Sequence, residues 1–126
     1  MYKKSVFLFL LAFTGMAVSA QIEMDQDLMQ NIEDSTKSLT SNIALKDIKA
    51  GTLDAKELAE MFAKVEAFYT QKGGADDAVS LAKKSRELSL QVGQDIVTRN
   101  FDHANEIATT MSKTCKTCHS IYKKDA

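Results

Sequence analysis

The only two cysteines of the chain lie three residues apart near its carboxyl end, and a histidine follows the second one directly, in Cys115-Lys116-Thr117-Cys118-His119. Closely spaced thiols serve three chemistries in proteins: reversible dithiol exchange, zinc coordination and covalent attachment of haem. The rest of the chain, and the elements that carry the pair, indicate which of the three applies.

The amino-terminal segment 1–20 has the three parts of a secretory signal peptide. Two lysines form a basic start, an apolar run covers 6–18, and small residues up to Ala20 suit cleavage after that residue. This apolar run is shorter than the roughly 20 residues that a membrane-spanning helix needs. We therefore predict export to the periplasm, with residues 21–126 as one mature domain that is not inserted in a membrane.

The mature chain carries 14 basic and 17 acidic residues, because the signal segment removes two of the 16 basic ones. A net charge of −3 gives no basic footprint for nucleic acid. An exported chain with two cysteines ordinarily suggests a disulfide. A bridge across only two intervening residues, however, constrains the unfolded chain very little, so we do not expect a structural disulfide here.

Four stretches of the mature chain repeat apolar residues every three or four positions, which is the spacing of amphipathic helices. They cover about 25–49, 54–72, 76–98 and 101–122. After the break "AGT", Asp54 and Glu57 predict a capping box at the start of the second helix. The chain has no proline that would interrupt a helix. Short connections make successive helices antiparallel, so we predict an all-α, up-down four-helix bundle.

The cysteine pair then lies on the inward face of the fourth helix. His119 follows Cys115 by four residues, so both thiols and the imidazole can meet one body inside the bundle. Zinc fits less well, because a structural site needs four ligands and His103, the other histidine, lies about 24 Å up the helix. A redox dithiol normally sits at a helix start, after a strand. Since C-x-x-C-H is the attachment signature of c-type haem, we predict one covalent haem c.

An export signal, four helices and a single "CKTCHSIYKK" at the carboxyl end resemble the class II cytochromes c, namely cytochrome c-prime and its c-556 relatives. The resemblance covers the whole mature chain in architecture, but only this stretch as a specific motif. It implies that Cys115 and Cys118 form the thioether bonds and that His119 is the proximal iron ligand. It also implies that Lys123 is the basic residue beside the proximal haem face.

Two functions follow from that resemblance. The first is an electron carrier that exchanges electrons with redox partner proteins, because haem iron cycles between two oxidation states. The alternative is a five-coordinate haem protein that binds or buffers nitric oxide or another small gas. We do not expect an enzyme, since no distal acid–base pair is evident, and a homodimer stays open.

The distal side of the haem pocket can be predicted by counting residues. His119 lies 17 residues into the fourth helix, and the same count back from Ala50, at the end of the first, ends beside Ile32 and Ser35. Neither is a strong iron ligand, so we predict a mainly five-coordinate iron. Met29 binds the iron only if the register of the two helices differs from this count by more than a turn.

Overall fold

The structure is a computed structural model that describes residue 24 and residues 26–122. Its elements are α1 (Gln26–Ala44), α2 (Ile48–Lys72), α3 (Asp76–Val97) and α4 (Phe101–Tyr122). No strand occurs among the described residues. The predicted all-α class and the predicted number of helices are therefore confirmed, whereas the signal segment and Lys123 lie outside the described residues.

The start of α2 differs from the prediction. The helix begins at Ile48 rather than after "AGT", and Asp47 caps it by accepting a hydrogen bond from the backbone N–H of Ala50. The predicted capping box at Asp54 is wrong, because Asp54 lies inside α2 and accepts hydrogen bonds from the side chains of Ser38 and Asn42 on α1. The first helix therefore ends earlier than predicted.

Each helix packs against the next one along the chain, and α1 and α4 close the bundle with the loosest contact among these neighbours. Connections of three residues separate the helices, so successive helices run antiparallel. One apolar core runs through the bundle; its buried members are Ile32, Leu39, Ile43, Ala55, Leu58, Phe62, Val65, Ala82, Val92, Ile96, Ala104, Ala108 and Met111. None of the described helices is long and apolar enough to cross a membrane.

Two helical glycines give opposite expectations for replacement by alanine. A Cβ atom on Gly93 would lie 3.5 Å from that of Ala55, which is an ordinary contact. Gly93→Ala should therefore raise the free energy of unfolding by about 0.5–1 kcal/mol through its helix propensity. On Gly51 the new Cβ would lie 3.0 Å from the Cδ1 of Ile96, so Ile96 must shift and we expect no net gain. Urea denaturation of both variants tests this, and equal stabilisation would contradict the packing described here.

Candidate functional site: the carboxyl-terminal turns of α4

The last two turns of α4 carry both thiols and the imidazole. Cys115 is half-buried and packs against the core, and Cys118 is also half-buried. His119 is exposed on the flank of the helix. The three side chains thus follow one another from the edge of the core to the surface, on one rigid helical segment.

The two histidines of the chain have different surroundings. The Nδ1 atom of His103 lies 2.7 Å from a carboxylate oxygen of Asp95 on α3, so this ring is held in place. Within the described part of the chain, no side chain binds the ring of His119. Among the described residues, the imidazole next to the cysteines thus has no bound side chain, whereas the His103 imidazole is already engaged by Asp95.

Both cysteines are free thiols. Burial is the main cause that raises the pKa of each one, and at Cys118 the negative charge of Asp77 adds to it. Dithiol redox sites depend on the opposite effect, because the attacking species is a thiolate and its pKa is lowered in such sites. The raised pKa of both thiols is therefore not typical of a dithiol redox site.

An aromatic and acidic cluster surrounds the end of α4. The ring of Tyr122 lies 5.2 Å from that of Tyr69 on α2, and Tyr69 packs edge-on against Phe68 at 5.0 Å. The Tyr122 hydroxyl donates a hydrogen bond to the carboxylate of Asp77 at the start of α3. The turn that carries His119 is thus tied to α2 through Tyr69 and to α3 through Asp77.

The hydrogen bond to Asp77 raises the pKa of Tyr122 to about 12. Replacing Asp77 by asparagine removes the negative charge that opposes ionisation, so we expect the pKa of Tyr122 to fall toward its ordinary value of about 10. The carbon NMR signal of labelled tyrosine rings, followed with pH, measures this. Tyr69 is the internal control, because burial is the first cause of its raised pKa. An unchanged Tyr122 titration would mean that this hydrogen bond does not form.

The earlier end of α1 changes which of its residues lie level with the cysteine motif. The register prediction assumed that the helix ends at Ala50, but it ends at Ala44. Ile32 is buried in the core. Ser35 lies on the side of α1 that faces α2, where it lines a cleft of about 330 Å³ together with Glu57 and Met61. Ser35 is therefore directed to the cleft between α1 and α2.

Contacts between the helices give the register directly. Ser38 and Asn42 on α1 both bond Asp54 on α2, and Tyr69 further along α2 contacts Tyr122. Because α1 and α2 are antiparallel, the contacts of Asp54 show which residues of α2 lie level with Met29. Because α2 and α4 run parallel, the contact between Tyr69 and Tyr122 then shows which residues of α4 lie at the same height, and these are residues 116–120. This step uses the equal rise per residue of all α-helices. Met29 thus lies at the height of the cysteine motif.

Met29 also lies on the side of α1 that faces α4. It precedes Ser38 by nine residues, and a helix turns by about 100° per residue, so the two side chains leave α1 on opposite sides. Ser38 is bonded to α2, and the other neighbour of α1 is α4. Met29 is half-buried and packs against the core. The residue count gives Met29 only a conditional role, because it takes Ala50 rather than Ala44 as the end of α1.

No group of three or more His, Cys, Asp or Glu side chains that could hold a metal ion occurs among the described residues. Comparison of the chain with models of protein families, with curated proteins and with solved structures finds no match.

Proposed function

We propose that the protein is an exported c-type cytochrome that carries electrons in the periplasm, with one haem c bound through α4. The observation that carries the proposal is the donor set itself. Two free thiols and an imidazole without a partner among the described residues occupy consecutive turns of one helix, at the edge of the core. The residues present therefore fit a covalently attached haem.

Each residue has a separate role in this proposal. Cys115 and Cys118 anchor the group through two thioether bonds, and His119 binds the iron. When bound, haem supplies an iron centre that gains and loses one electron. The bundle supplies a fixed orientation, because the motif lies in a regular helix tied to α2 and α3 through Tyr122.

Met29 favours the carrier over the gas-binding alternative. The thioether of Met29 lies on α1 at the height of the motif and on the side toward α4. We propose that Met29 would hold the haem iron from α1, in place of the open position that the residue count predicts. Histidine–methionine ligation is typical of electron-transfer haems and raises their reduction potential. With Met29 in this role, the iron would have no free site for a gas. The proposal assigns no catalytic residues.

The two histidines provide the experiment. In the haem-loaded protein, His119→Ala should remove the spectroscopic signature of histidine-bound iron and lower the fraction of protein that retains haem. His103→Ala is the matched control, because it removes the same ring from the same helix at a site bonded to Asp95. Absorption and electron paramagnetic resonance spectra of both variants measure the outcome. Equal spectra for both variants would contradict the assignment of His119.

A further inference from the structure

The outer side of the α2–α3 pair carries one stripe of side chains on each helix. Residues seven positions apart leave a helix in nearly the same direction, because seven residues complete two turns to within about 20°. We call the two stripes together the outer face. Its members are Lys49, Lys56 and Ala63 on α2, and Lys83, Leu90 and Val97 on α3. All of them are exposed except Ala63, which is half-buried.

Contacts with α2 show where the α3 stripe points. Gly93 lies against α2, and Arg86 is paired with Glu66 of α2 at 3.2 Å. Leu90 and Val97 each follow one of these two contact residues by four positions, which turns them about 40° further round the helix. They turn away from the core, because 54% of Leu90 and 60% of Val97 is exposed. The α3 stripe therefore borders the seam with α2 on the outside of the bundle.

The α2 stripe borders the same seam from the other side. Around α2, Asp54 faces α1, Leu58 faces the core and Ala55 faces α3, in that order. Lys56 follows Ala55 by one residue, or about 100° in the same sense, and so points past α3 to the outside of the bundle. The two stripes therefore look out from the same wall.

The stripes are also level with each other. The helices α2 and α3 are antiparallel, with Gly51 beside Ile96 and Ala55 beside Gly93. By this register, each member of one stripe lies within about 3 Å of the height of a member of the other. The rows so formed, each of one lysine and one apolar side chain, are Lys49 with Val97, Lys56 with Leu90, and Lys83 with Ala63.

The outer face is positively charged. Its three lysines form no ion pair with another described residue. Nearby carboxylates lie at its edges: Glu60 lines the cleft between α1 and α2, and Glu87 points about 60° further from α2 than Leu90 does. Asp76 lies beyond the third row, in the first turn of α3. The three rows therefore contain lysines and apolar side chains without a carboxylate.

We propose that the outer face docks the protein peripherally on an anionic phospholipid surface. Lysines close to such a surface are attracted by the charge of its head groups. Leu90 and Val97 lie beside the lysines and enter the boundary between head groups and acyl chains, so apolar burial adds to the electrostatic attraction. A second copy of the chain does not complement this face, because lysines would meet lysines across it.

Docking through this wall leaves the cysteine motif on the far side of the bundle. The motif lies on α4, and α1 and α4 form the wall opposite to α2 and α3. If the electron-carrier function proposed above holds, the haem would thus face away from the lipid, toward redox partners. The docking itself does not depend on haem.

The direction of the lysines can be tested at constant net charge. The variant Lys56→Glu/Lys83→Glu reverses two charges of the outer face, and the matched control Lys64→Glu/Lys84→Glu reverses two exposed lysines of the same two helices. Lys84 points about 100° away from Lys83, and Lys64 lines the cleft between α1 and α2. Any difference between the variants therefore reports which way the charges face.

The measurement is co-sedimentation of the exported protein with vesicles of phosphatidylglycerol and phosphatidylcholine in equal parts. At low ionic strength we expect the partition coefficient to fall about tenfold in the outer-face variant and less than about twofold in the control. Added salt should weaken binding of the parent protein, because it screens exposed charges. A parent protein that does not sediment with these vesicles, or an equal loss in both variants, would overturn the proposal.

An apolar variant separates lipid from other anionic partners. Leu90→Gln should lower the partition coefficient by about threefold, because part of the buried apolar area is lost. Leu45→Gln is its control, since Leu45 is 73% exposed in the connection between α1 and α2. If Leu90→Gln binds like the parent protein, the face is an electrostatic site of the kind an acidic protein would use, and the lipid proposal is wrong.

Haem content, measured on the same samples, keeps the two proposals apart. Vesicle binding by a protein that carries no haem would contradict the electron-carrier function and support the docking. A haem-loaded protein that does not bind vesicles would contradict the docking alone.

Discussion

Replacing both Cys115 and Cys118 by alanine is expected to abolish covalent haem attachment. The double variant should also lose about 3 kcal/mol of stability, because Cys115 packs against the core and the haem contacts are lost with it. For a domain of this size, such a loss lowers Tm by roughly 15 °C. Haem staining of a denaturing gel measures the attachment, and thermal unfolding followed by circular dichroism measures the stability.

Thr117→Ala is the matched control for the cysteine variant. Thr117 lies between the two cysteines, is exposed, and uses its hydroxyl only to bond the backbone carbonyl of Lys113 one turn earlier. We expect this variant to attach haem and to unfold like the parent protein. A double cysteine variant that keeps haem on the gel, or that melts at the parental temperature, would show that the thiols do not anchor the group.

Met29→Ala is expected to open the sixth position of the iron. The oxidised parent protein should show the weak far-red absorption band of a thioether bound to ferric iron, and this band should disappear in the variant. The reduction potential should fall by a sizeable part of the roughly 0.8 V over which axial ligands tune haem. Rapid binding of carbon monoxide to the reduced variant, but not to the reduced parent, would accompany these changes.

Met61→Ala is the control for this experiment, because Met61 is also half-buried and lines the cleft between α1 and α2. It removes a thioether of the same size from a site away from α4. We expect the band and the potential to stay at their parental values. If the parent protein lacks the band and binds carbon monoxide rapidly, the iron is five-coordinate and the gas-binding alternative replaces the carrier.

The number of helices and the approximate range of each one could be predicted from apolar spacing alone. That spacing is a local property, because every fourth or third residue of each helix faces the same core. The end of α2 was equally clear, since Gly73 and Gly74 adopt positive φ angles of 71° and 70°, which glycine takes without steric cost. The end of α3 lies within one residue of the prediction.

The end of α1 could not be predicted from local signals. Lys46, in the connection between α1 and α2, has a φ of 56°, and Arg99, in the connection between α3 and α4, has a φ of 62°. Neither of these turns is therefore marked by a glycine. Gly51, which belongs to the predicted break "AGT", is instead buried inside α2, where its lack of a side chain lets Ile96 approach closely. That role depends on α3, which lies far along the chain.

The candidate site, like the helices, could be predicted only where it depends on local sequence. The roles of Cys115, Cys118 and His119 are predicted from a motif within one helix, so these predictions need no knowledge of the tertiary structure, and they stay predictions. The distal residue depends on how α1 and α4 are aligned, and the earlier end of α1 is the reason why our proposal names Met29 rather than Ser35. Helix register is set by contacts such as those of Asp54 with Ser38 and Asn42, which no local pattern reveals.

The most direct test of the haem attachment is the intact mass of the purified protein after denaturation. The chain is produced with its export signal in a bacterium that attaches haem to c-type cytochromes. We predict a mass equal to residues 21–126 plus one haem, unchanged by acid and by thiol reductants. A mass equal to the polypeptide alone, with Cys115 and Cys118 as free thiols or as a disulfide, would contradict the account.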